Sequence, residues 1–472
     1  MSESHSEPER ATEASLSPAG SGKPRVTAGV WQLSVIILAL GFTLATGPFR
    51  APDEYHHFFR AYEVSEGRLV ARRVGNEFLG DYLPQSLDKI AKVGATYPDA
   101  PPIRTEPRHI SAAHLVELKA DARDFLPFPG AAMHAPLVYV PAACGIALGR
   151  LFHAGPLLLF YFARCANAII AGGLLGWALR RSARRAPFLP SLALLPMCLF
   201  QVGTVTADAV TFALSLFWCG EILRARTADD LGLWPRLVWI FLAAALSLLR
   251  FPYPLLGLLI LAVPRLKFGR TPAEYARFLS FFFVALVAPC LFWVETVKHL
   301  RVQMRPLVEV DPAGQLHFVA THPFHFLHLV GSEMARAGLE YLREIIGVLG
   351  WLTLPLPNWI YISVIAGLVV TICSSDPKLL RLTIRYRLFS LGLAITGFLL
   401  TAIIVYLAWN AVGAARIEGW QGRYAIPFLP LGAFAIANGW LRNRRGVSEC
   451  AWGVSVVASI SAIALLARAT YF

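Results

Sequence analysis

The chain has 472 residues, 56% of them hydrophobic and only 15% charged, where a water-soluble domain carries about 25% charged residues. A mean hydropathy of +0.54 and continuous apolar runs of about 17–24 residues argue against a soluble fold, and the lack of alternation argues against a transmembrane β-barrel. The net charge of +13 sits mostly in short arginine clusters between apolar runs, as cytoplasmic loops require. No basic patch interleaves with exposed aromatics, so nucleic-acid binding finds no support.

Residues 1–28 are rich in Ser, Glu, Ala and Pro and read as a disordered cytoplasmic tail. Lys23 and Arg25 hold it inside. No cleavage site is evident, so the first apolar run, 30–47, is expected to be retained. The integral membrane domain is then 29–472, with a first extracytoplasmic loop at 48–132. A helix is expected there from Asp53 to about Glu66, with Pro52 at its first position, and another from about Ser111 to Asp124.

Two apolar runs follow, 133–152 and 156–179, then Arg180, Arg181, Arg184 and Arg185. If both runs cross, this cluster lies outside; the positive-inside rule puts it inside. Counting on through 188–203, 207–223, 234–249, 252–264, 277–297, 358–374, 388–410, 425–440 and 450–467 makes every later basic cluster cytoplasmic if only one of the first two runs crosses. Pro136 and Pro141 interrupt 133–152, which is therefore read as shallow or re-entrant. The fold class expected is an all-α polytopic membrane protein of about eleven transmembrane helices plus one re-entrant helix. The extracytoplasmic segments are 48–132, 203–208, 250–252, 298–357 and 411–424. The second long loop, 298–357, holds an amphipathic helix at about 324–349.

The seven cysteines form no CxxC and mostly lie within apolar runs, as small core residues do. The charged residues collect at span ends. Asp53, Glu54, His57 and Arg60 come directly after the first span. Acids after a proline suit a helix N-terminus, but a capping acid needs no histidine and arginine below it, and Asp53, His57 and Arg60 fall on one helical face. Asp208 lies at the outer end of a short hairpin, where an acid is either an N-cap or functional. Arg250 is a lone cation at the outer face, suited to a phosphate or to snorkelling among headgroups. Arg423 and Tyr424, between glycines, suit an anion or a sugar, or an aromatic belt with an anchor. His134 stands where the chain re-enters the membrane. His322, His325 and His328 have a spacing open to a metal, without an acid among them. Phosphate loops, HExxH and GxSxG are absent.

These stretches resemble a bacterial family of polytopic membrane proteins, the domain-of-unknown-function family 2142. The resemblance is carried by PDEYHHFFRAYEVSEGRLV at 52–70, HAPLVYVPAACGIALGRLF at 134–152, QVGTVTADAV at 201–210, LGWLTLPLPNW at 349–359 and QGRYAIPFLPL at 421–431. The chain departs from the family pattern at Ala51, where a second proline is usual, and at Thr353, where an acid is frequent; Thr353 is given no role. The layout is in turn similar to that of GT-C glycosyltransferases, with an acidic motif after span one and a second acid in the next outer hairpin. That likeness implies a membrane glycosyltransferase using a polyprenyl-phosphate-linked sugar donor and a glycan, lipid or protein acceptor, at the outer face of the bacterial inner membrane. Asp53, Glu54 and Asp208 would be catalytic, and His57, Arg60, His134, Arg250, Arg423 and Tyr424 substrate-binding. Asp53 and Asp208 would be ligands of a divalent cation, Mg²⁺ or Mn²⁺. The rival readings are a transporter or flippase, and a scaffold, for envelope polysaccharide precursors.

Overall fold

A computed structural model describes residues 28–75, 77–94, 104–182, 185–227, 232–269, 271–303, 305, 308–375, 377, 382–441, 444 and 446–472. The tail expected at 1–28 lies outside the described residues, apart from its last position.

The first apolar run folds as α1 (Ala28–Ala45). The first loop then builds α2 (Glu54–Ser65), β1 (Arg72–Val74), β2 (Phe78–Pro84), α3 (Gln85–Gly94), α4 (Pro107–His114), β3 (Arg123–Pro127) and the short α5 (Pro129–Ala132). The strands form one antiparallel sheet in the order β1-β2-β3, with Arg72 opposite Gly80 and Asp81 opposite Leu126. The helix expected over 111–124 is corrected: α4 stops at His114, and Arg123 and Asp124 pair with β2. Inter-strand hydrogen bonds hold that segment extended, against its apolar spacing.

A 3₁₀ turn (Pro136–Tyr139) leads into α6 (Val140–Leu151), which packs on α7 (Pro156–Ser182). At 1.5 Å per residue α6 is about 18 Å long, shorter than a hydrocarbon core of about 30 Å. The run at 188–203 is broken into α8 (Phe188–Ala193) and α9 (Pro196–Val202), because Pro196 lacks the N–H a continuous helix needs. Next come α10 (Ala207–Thr227) and α11 (Leu233–Ser247), and a 3₁₀ helix (Tyr253–Ala262) where an α-span was expected. The long α12 (Pro272–Val297) opens with a capping box, Thr271 and Glu274 exchanging hydrogen bonds.

The second long loop folds as α13 (Pro312–Thr321), α14 (Pro323–Ile346) and a hairpin of β4 (Val348–Leu349) and β5 (Leu354–Pro355). On α14 the buried residues include Phe326, Leu329, Val330, Glu333 and Ala337, one face at helical spacing, as an amphipathic helix requires. The chain finishes with α15 (Asn358–Ser374), α16 (Ile384–Trp409), a 3₁₀ turn (Gly422–Phe428), α17 (Leu429–Ile436) and α18 (Val447–Tyr471).

Among the described residues four helices are long and apolar enough to cross a membrane, and five shorter apolar helices accompany them. Helix α10 is buried along nearly its whole length and lies against α7 and α9; α1 packs on α7 and α18. The chain order sorts the charges: Asp208 opens α10, while Arg224 and Arg226 lie in its last turn. Arg250 lies between α11 and the 3₁₀ helix that runs back towards Arg265 and Lys267.

Candidate functional site

The site is built where α1 ends. The last carbonyls of a helix lack intrahelical donors, and here Arg164 of α7 supplies them. It donates to the carbonyls of Thr43 (3.1 Å), Thr46 (2.6 Å) and Gly47 (2.9 Å), and grips both oxygens of Glu54 at 2.8 and 2.6 Å. Glu54 Oε1 also accepts from the Val205 N–H at 3.0 Å. Both side chains are fully buried. This placement does not support the catalytic place expected of Glu54: its oxygens are committed to the bond between α2, α7 and the approach to α10. The expectation that charges collect only at span ends is corrected as well, since Arg164 lies inside an apolar helix. It lines no path, being locked in this pair.

One residue earlier, Asp53 adopts the left-handed conformation (φ 54°, ψ 18°) and makes no side-chain capping bond. Helix α2 starts after it, so Asp53 is not stacked above His57 and Arg60 as helical spacing implied. Its carboxylate stays accessible, yet the surrounding protein raises its pKa, with Arg423 opposing. Arg60 turns inward. It is fully buried, paired with Glu63, and donates to the Leu69 carbonyl at 2.7 Å; its expected substrate-binding role is not supported by this placement.

Asp208 stands in the first turn of α10, where a helix N-terminus favours an acid. Its carboxylate lies 3.7 Å from Arg423 Nε. Arg423 feels both Asp208 and Asp53, so the two acids, brought from α10 and the α1–α2 turn, share one cation. The Arg250 guanidinium lies 4.6 Å from the centre of the Tyr424 ring, and that of Arg423 lies 5.6 Å from it. Tyr253 donates to the Tyr424 carbonyl at 3.2 Å, tying the two arginine-bearing turns together. Arg250 makes no ion pair among the described residues.

Two histidines lie within electrostatic reach of these arginines. His57 Nδ1 is 2.7 Å from the Tyr139 hydroxyl, and its ring lies 6.1 Å from that of His134. Burial, with neighbouring histidines and arginines, holds His57 well below the ordinary imidazole range, and burial followed by Arg250 pushes His134 down to about 3. Burial thus disfavours the charged form of both rings, and His57 serves as a hydrogen-bonding partner of Tyr139.

The structure thus brings together Asp53, His57, His134, Asp208, Arg250, Arg423 and Tyr424, and assigns Glu54 and Arg60 to structural pairs. Sequence reasoning missed Arg164, Tyr139 and Tyr253. A lone arginine inside the run 156–179 is the signal that should have found the first, because a charge at membrane depth demands a partner. Among the described residues no three His, Cys, Asp or Glu side chains form a metal-binding group. His322, His325 and His328 are exposed, the first stacked on Phe318.

The family described as "Predicted membrane protein (DUF2142)" matches residues 36–432. The chain belongs to this family. The match takes in every residue of the site, and the apolar helices agree with a membrane location. No curated protein and no solved structure matches the chain.

Proposed function

We propose that this family member is a membrane glycosyltransferase working at the extracytoplasmic face of the bacterial inner membrane. A polyprenyl-phosphate-linked sugar is the donor, and a glycan, lipid or protein of the cell envelope is the acceptor. In this reading about eleven segments cross the bilayer and the acids face outward. The observation that carries it is the meeting of two carboxylates with two arginines at one end of the helices: Asp53 and Asp208 with Arg423 and Arg250. Sugar transfer from a phosphate needs a base for the acceptor hydroxyl and cations for the leaving phosphate, and both are present.

Asp53, accessible and with a raised pKa, takes the acceptor proton as the hydroxyl oxygen attacks the anomeric carbon. The bond from that carbon to the phosphate oxygen breaks, and the electron pair leaves with the phosphate. Arg250 and Arg423 stabilise the charge gathering there. A single inverting displacement suffices, since nothing marks a covalent nucleophile. Two acids without a third ligand suit Mg²⁺ or Mn²⁺, which rely on substrate phosphates and water for the rest of their shell; Asp53 and Asp208 would hold such an ion, which would add Lewis-acid stabilisation of the phosphate.

The test is to offer purified protein a panel of radiolabelled polyprenyl-phosphate sugars, with and without Mg²⁺ or Mn²⁺. Transfer by the wild type, with a loss of at least about 100-fold in Asp53→Ala at normal membrane insertion, is expected. A fully active Asp53→Ala protein sinks the assignment of the base. Silence across the panel, with in-cell function kept in the Asp53→Ala, Asp208→Ala double variant, favours the scaffold reading.

A further inference from the structure

Arg423 is approached from a third side by an acid that no motif announced. Glu344, near the C-terminal end of α14, accepts the Gly422 N–H through Oε2 at 2.5 Å. Gly422 itself is pressed on the α14 backbone: a Cβ built there would lie 2.0 Å from the Tyr341 carbonyl oxygen, closer than any side chain tolerates. The ring of Tyr341 lies 5.1 Å from that of Trp420, and Trp420 donates to Thr401 of α16 at 3.0 Å. The turn 420–422 is thereby clamped between α14 and α16, and the next residue is Arg423. The Glu344 carboxyl interacts electrostatically with Arg423 and is half-buried.

We infer that Glu344 is a positioning residue that aims Arg423 at the site and couples the docking of amphipathic helix α14 to anion binding there. The inference rests on the reading of Arg423 as a phosphate-binding group. Glu344 does two things of opposite sign. Its oxygen fixes the Gly422 amide, which orders the turn. Its negative charge competes with an incoming anion for Arg423.

The two effects separate by substitution. Glu344→Gln keeps an oxygen acceptor and removes the charge; Glu344→Ala removes both. Full-length protein in nanodiscs is titrated with an isoprenyl monophosphate and, separately, with inorganic phosphate, while hydrogen exchange is followed over 418–428. The monophosphate is expected to bind Glu344→Gln about threefold or more tightly than wild type and Glu344→Ala about threefold or more weakly. Exchange over 418–428 should stay slow in Glu344→Gln and quicken at least about tenfold in Glu344→Ala. Gly422→Ala, which keeps the amide but collides with Tyr341, should behave like Glu344→Ala. A merely structural glutamate would move both Glu344 variants the same way. Equal affinities and equal exchange in wild type and both Glu344 variants overturn the inference. If wild type binds neither probe, the phosphate reading of Arg423 fails, and unchanged exchange in Glu344→Ala would then defeat the clamp independently. Binding of both probes with equal affinity assigns the site to the phosphate alone; preference for the isoprenyl compound adds its tail.

Discussion

Two buried arginines, one meeting Glu54 and the other Asp208 and Asp53, differ in how their charge is met. Arg164 is surrounded by what it needs: both oxygens of Glu54 and three backbone carbonyls. Arg423 is almost as buried, but its Nε has no hydrogen-bond partner and its nearest carboxylate is 3.7 Å away. Beside it Arg250 rests on the Tyr424 ring without an ion pair among the described residues. A buried charge costs several kcal/mol unless it is paired and hydrogen-bonded. Arg164 is therefore part of the scaffold, whereas Arg250 and Arg423 are met more loosely, by the Tyr424 ring and, for Arg423, by a carboxylate 3.7 Å away.

The sharpest break of this comparison is Arg164→Ala. It strands Glu54 and the end of α1 together, and should cost about 3–5 kcal/mol of stability, read as a large drop in thermal midpoint in detergent. A variant as stable as wild type would erase the contrast.

Glu63 tests the intermediate case. Its pairing with Arg60 leaves Oε1 buried without a partner, and burial pushes its carboxyl up to about 7 although Arg60 pulls it down. A raised folded pKa means stability that is complete below the unfolded value near 4.5 and is lost as pH rises towards 7. Wild type should lose roughly 2–3 kcal/mol relative to Glu63→Gln across that window, measured by denaturation at pH 4.5 and 8. A flat difference would show that Arg60 meets the charge in full.

The smallest effect on stability is expected at Arg423. Arg423→Gln gives up a pair with Asp208 that is no closer than 3.7 Å and should cost about 1–2 kcal/mol, while weakening isoprenyl monophosphate binding about tenfold or more. Destabilisation on the scale of Arg164→Ala would make Arg423 a second structural clamp.

The long helices were legible because one property, continuous apolarity, specifies them: α1, α7, α10, α15 and α18 begin and end within a few residues of the runs. What failed was whatever depends on distant partners. The antiparallel sheet joins β2 to β3 across about forty residues, and nothing local in RDFLP announces a strand. Pro196 was visible, but the break it makes in 188–203 was passed over because the run is apolar throughout. In the site, Asp208, Arg250 and Arg423 could be read because polar groups between apolar runs stand out. The division of labour between Asp53 and Glu54 could not. It turns on one left-handed residue and on Arg164, neither of which neighbouring letters specify.

The Glu54–Arg164 pair also sets an order of assembly. Arg164 is made 110 residues after Glu54. Until α7 emerges, the end of α1 has no donor for its carbonyls, and the first turn of α2 has no cation for its acid. Nor can Glu54 hold Val205, which is synthesised later still. The segment that begins with α2 is therefore synthesised before the residue that anchors its first turn exists. The acid at position 53 takes its final place only when three segments distant in sequence have met.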